Sequence, residues 1–274
     1  MHATFRSTMN LLKLGAIIMT VVISVAGCAS SAPTAAVSDL APQGIVKAAI
    51  NLGNPILASK DPLSGEPKGV SVDLARELAR RLGAKLELMP FNSAGQVVEA
   101  VKANKVDIAF VAIDPLRAQD VSYSAAYVVI EGAYMVRNDS PLKSNDDVDK
   151  AGNRIVVGAG SAYDLFLSRA IKNATLVRAP SSPTVTDMFV AQKLEVAAGV
   201  KQQLEMDAKR FAGLRLLEGH FMVINQAMGT PRGREAGAKY LGVFVEEMKS
   251  TGFVAQALKR HQIEGAAVAP AANP

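Results

Sequence analysis

Two charged side chains close an apolar strand in this chain. The stretch DIAFVAIDPLRAQDVSYSAAY runs from Asp107 to Tyr127 and turns polar at Asp114, Pro115, Leu116 and Arg117. An arginine at the exit of a buried strand is partly desolvated, and its planar guanidinium offers a fork that matches a carboxylate through two parallel bonds. The same arginine could equally be structural, tied to Asp114 or Asp120 in its own turn. Asp114 precedes a proline and can accept backbone amides there; the alternative is that it faces an ammonium or hydroxyl of a ligand. Ala112, near the end of the strand, is counted with them as a candidate contact. With no nucleophile, histidine or glycine loop beside them, the chemistry on offer is the capture of a small anion.

Other candidates lie further off. GAGSAYD, Gly158 to Asp164, turns from a strand into a helix, where the Ser161 hydroxyl and amides such as that of Ala162 could hold an anion or simply cap the helix. Tyr163 occupies the position of the third glycine of a dinucleotide fingerprint, and no phosphate loop follows. Asn54 opens the loop after the first strand and either reaches a cleft or shapes a turn. Glu131 interrupts the apolar run YVVIEGAYMV; it could line a cleft, pair with a lysine or face solvent. Lys201 follows VAAGV, as a solvated helix residue or a cleft cation.

The elements that must position these residues alternate. Ile45 to Leu52 reads as a strand, followed by a Pro- and Gly-containing loop. Ser71 is expected to cap a helix with the buried stripe Leu74, Leu78 and Leu82. Strands over 85–89 and 106–113 flank a helix over 96–102. A second series follows the polar joint NDSPLKSNDDVDKAGN, with strands at 154–158, 174–178, 196–200 and 214–218 separated by helices. An extended segment at 221–230 leads to two amphipathic helices, 234–250 and 253–261. Such alternation predicts an α/β fold with a largely parallel sheet, whose ligands sit beyond the carboxyl ends of the strands. Two lobes are expected: 44–134 with 224–262, and 135–223. Two crossovers would form a hinge, with the binding cleft between the lobes.

The composition excludes several classes. A single cysteine among 274 residues rules out a disulfide framework or a Cys-rich metal site, and His2, His220 and His261 are too scattered for a zinc helix. The net charge of +5 is small and dispersed, which argues against nucleic acid as a partner. No cofactor is expected. No hydrolase elbow or Cys–His pair occurs, which lowers the odds of catalysis without eliminating it.

The two ends read differently from the middle. Arg6 and Lys13 precede LGAIIMTVVISVAG, an apolar run too short to span a bilayer, and then the lone Cys28. Val25-Ala26-Gly27-Cys28 resembles a bacterial lipobox, so residues 1–28 are expected to be a lipoprotein signal peptide and Cys28 the lipidated residue. Residues 29–43 read as a flexible tether and 263–274 as a disordered tail.

KGVSVDLARELARRLGAKLELMPF, then VKANKVDIAFVAIDPLRAQDVSYSAAY, then GSAYDLF, in this order behind a lipobox, resembles the amino-acid-type (family 3) extracellular solute-binding proteins of ABC transporters. The resemblance covers nearly all of residues 45–261. It implies the two-lobed, type II periplasmic-binding (Venus-flytrap) fold, with Arg117 gripping a ligand carboxylate and Ser161 contributing from the second lobe. Three positions depart from the pattern. Asp114 stands where a hydroxyl residue is usual, NPILA lacks the usual aromatic, and the acid that meets an α-ammonium falls near Val200 or Lys201. The expected function is a monomeric, lipid-anchored binding protein of the periplasm or cell envelope. It would deliver a small carboxylate-bearing solute to the membrane subunits of an ABC permease. The alternatives are an extracytoplasmic enzyme on the same fold, resembling cyclohexadienyl or arogenate dehydratases with Glu131 or Asp114 as the acid, and a sensory module.

Overall fold

A computed structural model describes residues 1–3 and 32–272; residues 4–28 of the expected signal peptide, Cys28 among them, lie outside the described residues. In chain order the elements are α1 (Thr34–Leu40), β1 (Ile45–Asn51), β2 (Ser59–Lys60), β3 (Pro67–Lys68), α2 (Val70–Leu82), β4 (Lys85–Phe91), α3 (Ala94–Lys102), β5 (Ile108–Ala112) and β6 (Val121–Arg137). The chain continues through β7 (Arg154–Gly158), α4 (Ala162–Ala170), β8 (Thr175–Ala179), α5 (Val185–Ala191), β9 (Val196–Val200) and α6 (Lys201–Arg210). It finishes with β10 (Leu214–Leu216), β11 (Met222–Pro231), α7 (Glu235–Ser250), α8 (Phe253–Arg260) and β12 (Ala267–Val268).

The main sheet runs β4-β1-β5-β11-β6-β9-β7-β8, with β10 and β12 also bonded to β6. β1 is parallel to β4 and β5, and β7 is parallel to β8 and β9. Between these two parallel triplets, β11 runs antiparallel to β5 and β6, and β6 runs antiparallel to β9. The expected parallel sheet is thus two parallel halves bridged by two long antiparallel strands. β5 and β9, which read as unbroken apolar runs, are buried along their whole length, as strands covered on both faces must be. Separate apolar clusters lie under α3 in the first half and under α5 and α6 in the second, while a larger cluster extends through both.

Three local expectations are corrected. Residues 34–40, read as part of a flexible tether, form α1, whose Leu40 is fully buried. This helix packs on α7, where the Asp39 carboxylate accepts from Gly237 N at 2.8 Å and so caps the α7 N-terminus. Residues 267–268, read as disordered tail, pair antiparallel with Val128 and Val129 of β6. Ser71 does not cap α2, which starts one residue earlier after Gly69; its hydroxyl instead lies 3.2 Å from that of the fully buried Tyr127.

Candidate functional site

The carboxyl end of β5 turns sharply. Asp114 Oδ1 accepts from Leu116 N at 2.9 Å and the Asp114 carbonyl accepts from Ala118 N at 3.0 Å, so the aspartate and proline fold the chain into a single 3-10 turn over Arg117–Gln119. That turn directs Arg117 back into the protein, where the residue is only 3% exposed. Its Nη1 donates to Ala112 O at 3.0 Å and its Nη2 to Gly160 O at 2.7 Å. The Tyr123 hydroxyl donates to the same Ala112 carbonyl. Among the described residues no carboxylate oxygen comes within ion-pair distance of the guanidinium, although Asp114 is near enough to be felt electrostatically. Burial pulls the arginine's pKa down from its ordinary value, with Tyr123 and Asp114 partly opposing. A buried cation whose only partners are neutral carbonyls is under-compensated, and an anion is what completes it.

The Gly160 carbonyl belongs to the second half. Ser161 caps α4 there, its Oγ accepting from Asp164 N at 3.0 Å, while Asp164 Oδ2 accepts from Gly160 N. Arg117, Ser161 and Ala162 line a small cavity of about 30 Å³ between the halves, together with Ala112 at the end of β5 and Asn54 in the loop after β1. Asn54 is 7% exposed, and its Oδ1 is buried without a hydrogen-bond partner. The Tyr163 hydroxyl is likewise buried and lacks a well-aligned partner, although Ser161 and Ser182 lie beside it.

Five of the eight predicted contacts are therefore brought to one cavity: Arg117, Ala112, Ser161, Ala162 and Asn54. Three are not. Asp114 takes the amide-capping role rather than the alternative of facing a ligand, and is buried beside the cavity with its Oδ2 on Arg169 Nη2 of α4 at 2.7 Å. Glu131 and Lys201 bond each other at 2.9 Å, with His220 Nδ1 3.0 Å from the other Glu131 oxygen. Lys201, foremost, and His220 hold the Glu131 carboxyl below its usual range. Both side chains are satisfied in this cluster and stand outside the cavity lining.

Sequence reasoning missed Asn51 and Gln226, which also line the cavity, and named Val200 only as a position near the family's acid. Asn51 and Val200 end β1 and β9, the strand ends where ligands gather in parallel sheets. Gln226 pairs in register with Ala112. That juxtaposition depends on β11 returning beside β5, and no local pattern encodes it.

A cavity at the carboxyl ends of two parallel strand sets, closed by two crossing strands, defines the two-lobed periplasmic-binding fold. The chain belongs to the bacterial extracellular solute-binding proteins, family 3, whose model matches residues 48–263. It is 23% identical over 193 residues to the L-cystine-binding protein TcyJ of Escherichia coli K12, covering 69% of this chain and 71% of that one. It is 28% identical over 156 residues to the membrane-bound lytic murein transglycosylase F of Aeromonas hydrophila, which is 56% of this chain but only 30% of the relative's length. The crystal structure of the Neisseria gonorrhoeae solute receptor for L-cysteine matches with a TM-score of 0.73 at 19% identity, over 84% of this chain and 94% of that one.

Proposed function

We propose that this chain is the substrate-binding component of an ABC importer and that it binds a small carboxylate-bearing solute, an amino acid or a related organic acid. The first lobe comprises residues 44–134 and 224–262, the second 135–223. The ligand carboxylate sits on Arg117, with Ser161, Ala162, Ala112 and Asn54 around it. The observation that carries this reading is the Arg117 guanidinium itself: buried between the halves, bonded only to carbonyls, and aimed at a cavity. Ligand binding across the halves favours the closed form, which the permease subunits recognise. Lipid on Cys28, the mature N-terminus once the signal peptide is cut away, would tether the protein to an envelope membrane as a monomer, and Cys28→Ser would abolish acyl labelling of the protein.

Support for binding over turnover comes from the cavity lining, which contains no carboxylate, histidine, lysine or cysteine to act as acid or base. The dehydratase-like alternative would use Glu131 or Asp114, and both are held in ion pairs outside the lining. The test is a thermal-shift panel of amino acids, dicarboxylates and keto acids. Saturation at ~100 times Kd adds about 2.7 kcal/mol of stability. Arg117→Ala abolishes the shift if the assignment holds. Turnover of prephenate or arogenate, lost in Glu131→Gln, would instead establish the enzyme.

A further inference from the structure

We infer that the cavity selects a net anion, a small organic acid whose second polar group is a neutral hydroxyl or amide, over a zwitterionic amino acid. This rests on the reading of Arg117 as the carboxylate partner. Among the described residues, Arg117 is the only formally charged one that lines the cavity. At about 30 Å³ the cavity holds little more than a water in this form, so the halves part to admit a ligand, and a single ligand carboxylate then neutralises the lining.

An added ammonium would be a second buried cation with no counter-ion. The acids that might have served are engaged elsewhere. Asp114 Oδ1 takes the Leu116 amide and its Oδ2 takes Arg169, at 2.7 Å. Glu131 is saturated by Lys201 and His220. On the far side of Arg117, Glu99 and Asp120 line a separate open groove that also holds Lys102. Asp164, next after Tyr163, is held by the Gly160 amide and by Arg178. With no free carboxylate in the lining, a desolvated ammonium is disfavoured, because neutral acceptors do not offset the loss of water around a full charge.

What the cavity does offer is neutral hydrogen-bonding capacity. Asn54 Oδ1 is a buried acceptor with no partner among the described residues, so a donor from a guest would satisfy it. The Tyr163 hydroxyl and Gln226 amide can each donate or accept. A hydroxyl beside the carboxylate supplies the donor that Asn54 lacks and introduces no charge. In such a site, specificity comes from leaving buried groups of the wrong ligand unpaired.

Calorimetry at neutral pH on matched pairs that differ only in hydroxyl for ammonium reads this directly: lactate against alanine, glycerate against serine, 2-hydroxybutyrate against 2-aminobutyrate. The hydroxy acid is expected to bind at least about tenfold tighter in the best pair. Asn54→Asp, nearly isosteric, places an acid in the lining and should reverse the order within that pair. Equal or tighter binding of the amino acid by the unaltered protein, with that binding still lost in Arg117→Ala, overturns the inference and leaves the carboxylate reading intact. Hydroxy-acid binding that survives Arg117→Ala overturns the reading beneath it. Failure of every pair to bind overturns both.

Discussion

The carboxylate of Asp114 and the guanidinium of Arg169 meet at 2.7 Å across the two halves of the sheet, one just past β5 and the other in the last turn of α4. With the bond from Arg117 to the Gly160 carbonyl, this pair spans the gap immediately beside the cavity. Asp114 has a 5% exposed side chain, whereas that of Arg169 is 49% exposed, so solvent screens the pair from one side.

Arg169→Ala is therefore expected to weaken closure by about 1 kcal/mol, the upper end for a half-exposed ion pair. Ligand affinity should fall by roughly fivefold with the order of preference among ligands unchanged. Titration calorimetry gives the affinity, and small-angle scattering should show a larger radius for the liganded variant. An unchanged affinity would mean that the pair only decorates the surface.

Gly160 and Gly95 face each other across the halves, backbone to backbone. A Cβ on Gly160 would lie 3.1 Å from Gly95 Cα, and the Gly160 φ of +67° is itself a conformation that favours glycine. A Cβ on Gly95 would meet Gly160 Cα at an ordinary 3.7 Å. Gly160→Ala should cost about 1 kcal/mol in backbone strain alone and weaken ligand binding further by opposing closure. Gly95→Ala should leave binding within about twofold of the unaltered protein, because a normal van der Waals contact carries little penalty. Equal effects from the two substitutions would contradict this asymmetry.

The seat of α1 on α7 is equally specific. A Cβ on Gly237 would come within 2.8 Å of Leu40 Cδ2 and 2.9 Å of Asp39 Cβ. Gly237→Ala is expected to destabilise the protein by about 1–3 kcal/mol through overpacking, read by urea unfolding. In a chain lacking residues 32–41 the same substitution should become neutral, since the clash has been removed. Additive losses would show that α1 does not occupy this seat.

Acid stability should depend on Glu77. Hydrogen bonds from Arg80, and also from Arg81, hold its carboxyl down at about 2 against an ordinary 4.5. A carboxyl lowered in the folded state stabilises it fully above about 4.5, and that contribution is lost as pH falls towards 2. Arg80 is 70% exposed, so the contribution is discounted to about 1 kcal/mol. Glu77→Gln should be less stable by that amount at neutral pH, and the two melting curves should converge near pH 2. A gap that persists in acid would assign the loss to packing.

The elements with strong local periodicity were legible in the sequence. The stripe Leu74, Leu78 and Leu82 faces the core, VAAGV is the buried strand β9, and Ser161 caps α4. Arg117 was legible as a buried fork, because an apolar strand must deliver whatever follows it to the sheet's edge. The destination of its hydrogen bonds was not legible, since Gly160 is distant in sequence and only closure brings it near. The amide cap of Asp114 and a lysine for Glu131 were both among the readings, but which bases pair with them was not legible for the same reason: Arg169 and Lys201 are supplied by the other half of the chain. α1 and β12 are short and built from small residues with weak preferences of their own. They are ordered by the surfaces they cover, which are α7 and β6.

β6 and β11 lie side by side where the chain passes between the halves, bonded in register from Gly132 and Met222 to Ile130 and Ile224. On the proposed two-lobe reading, two strands laced together at a crossing would resist sliding and shear but bend about the line they share, leaving the lobes essentially one angular coordinate. Much of the positional freedom that separate bodies lose on meeting is already absent here. A guest with few atoms and only a handful of contacts can then supply enough free energy to set that angle.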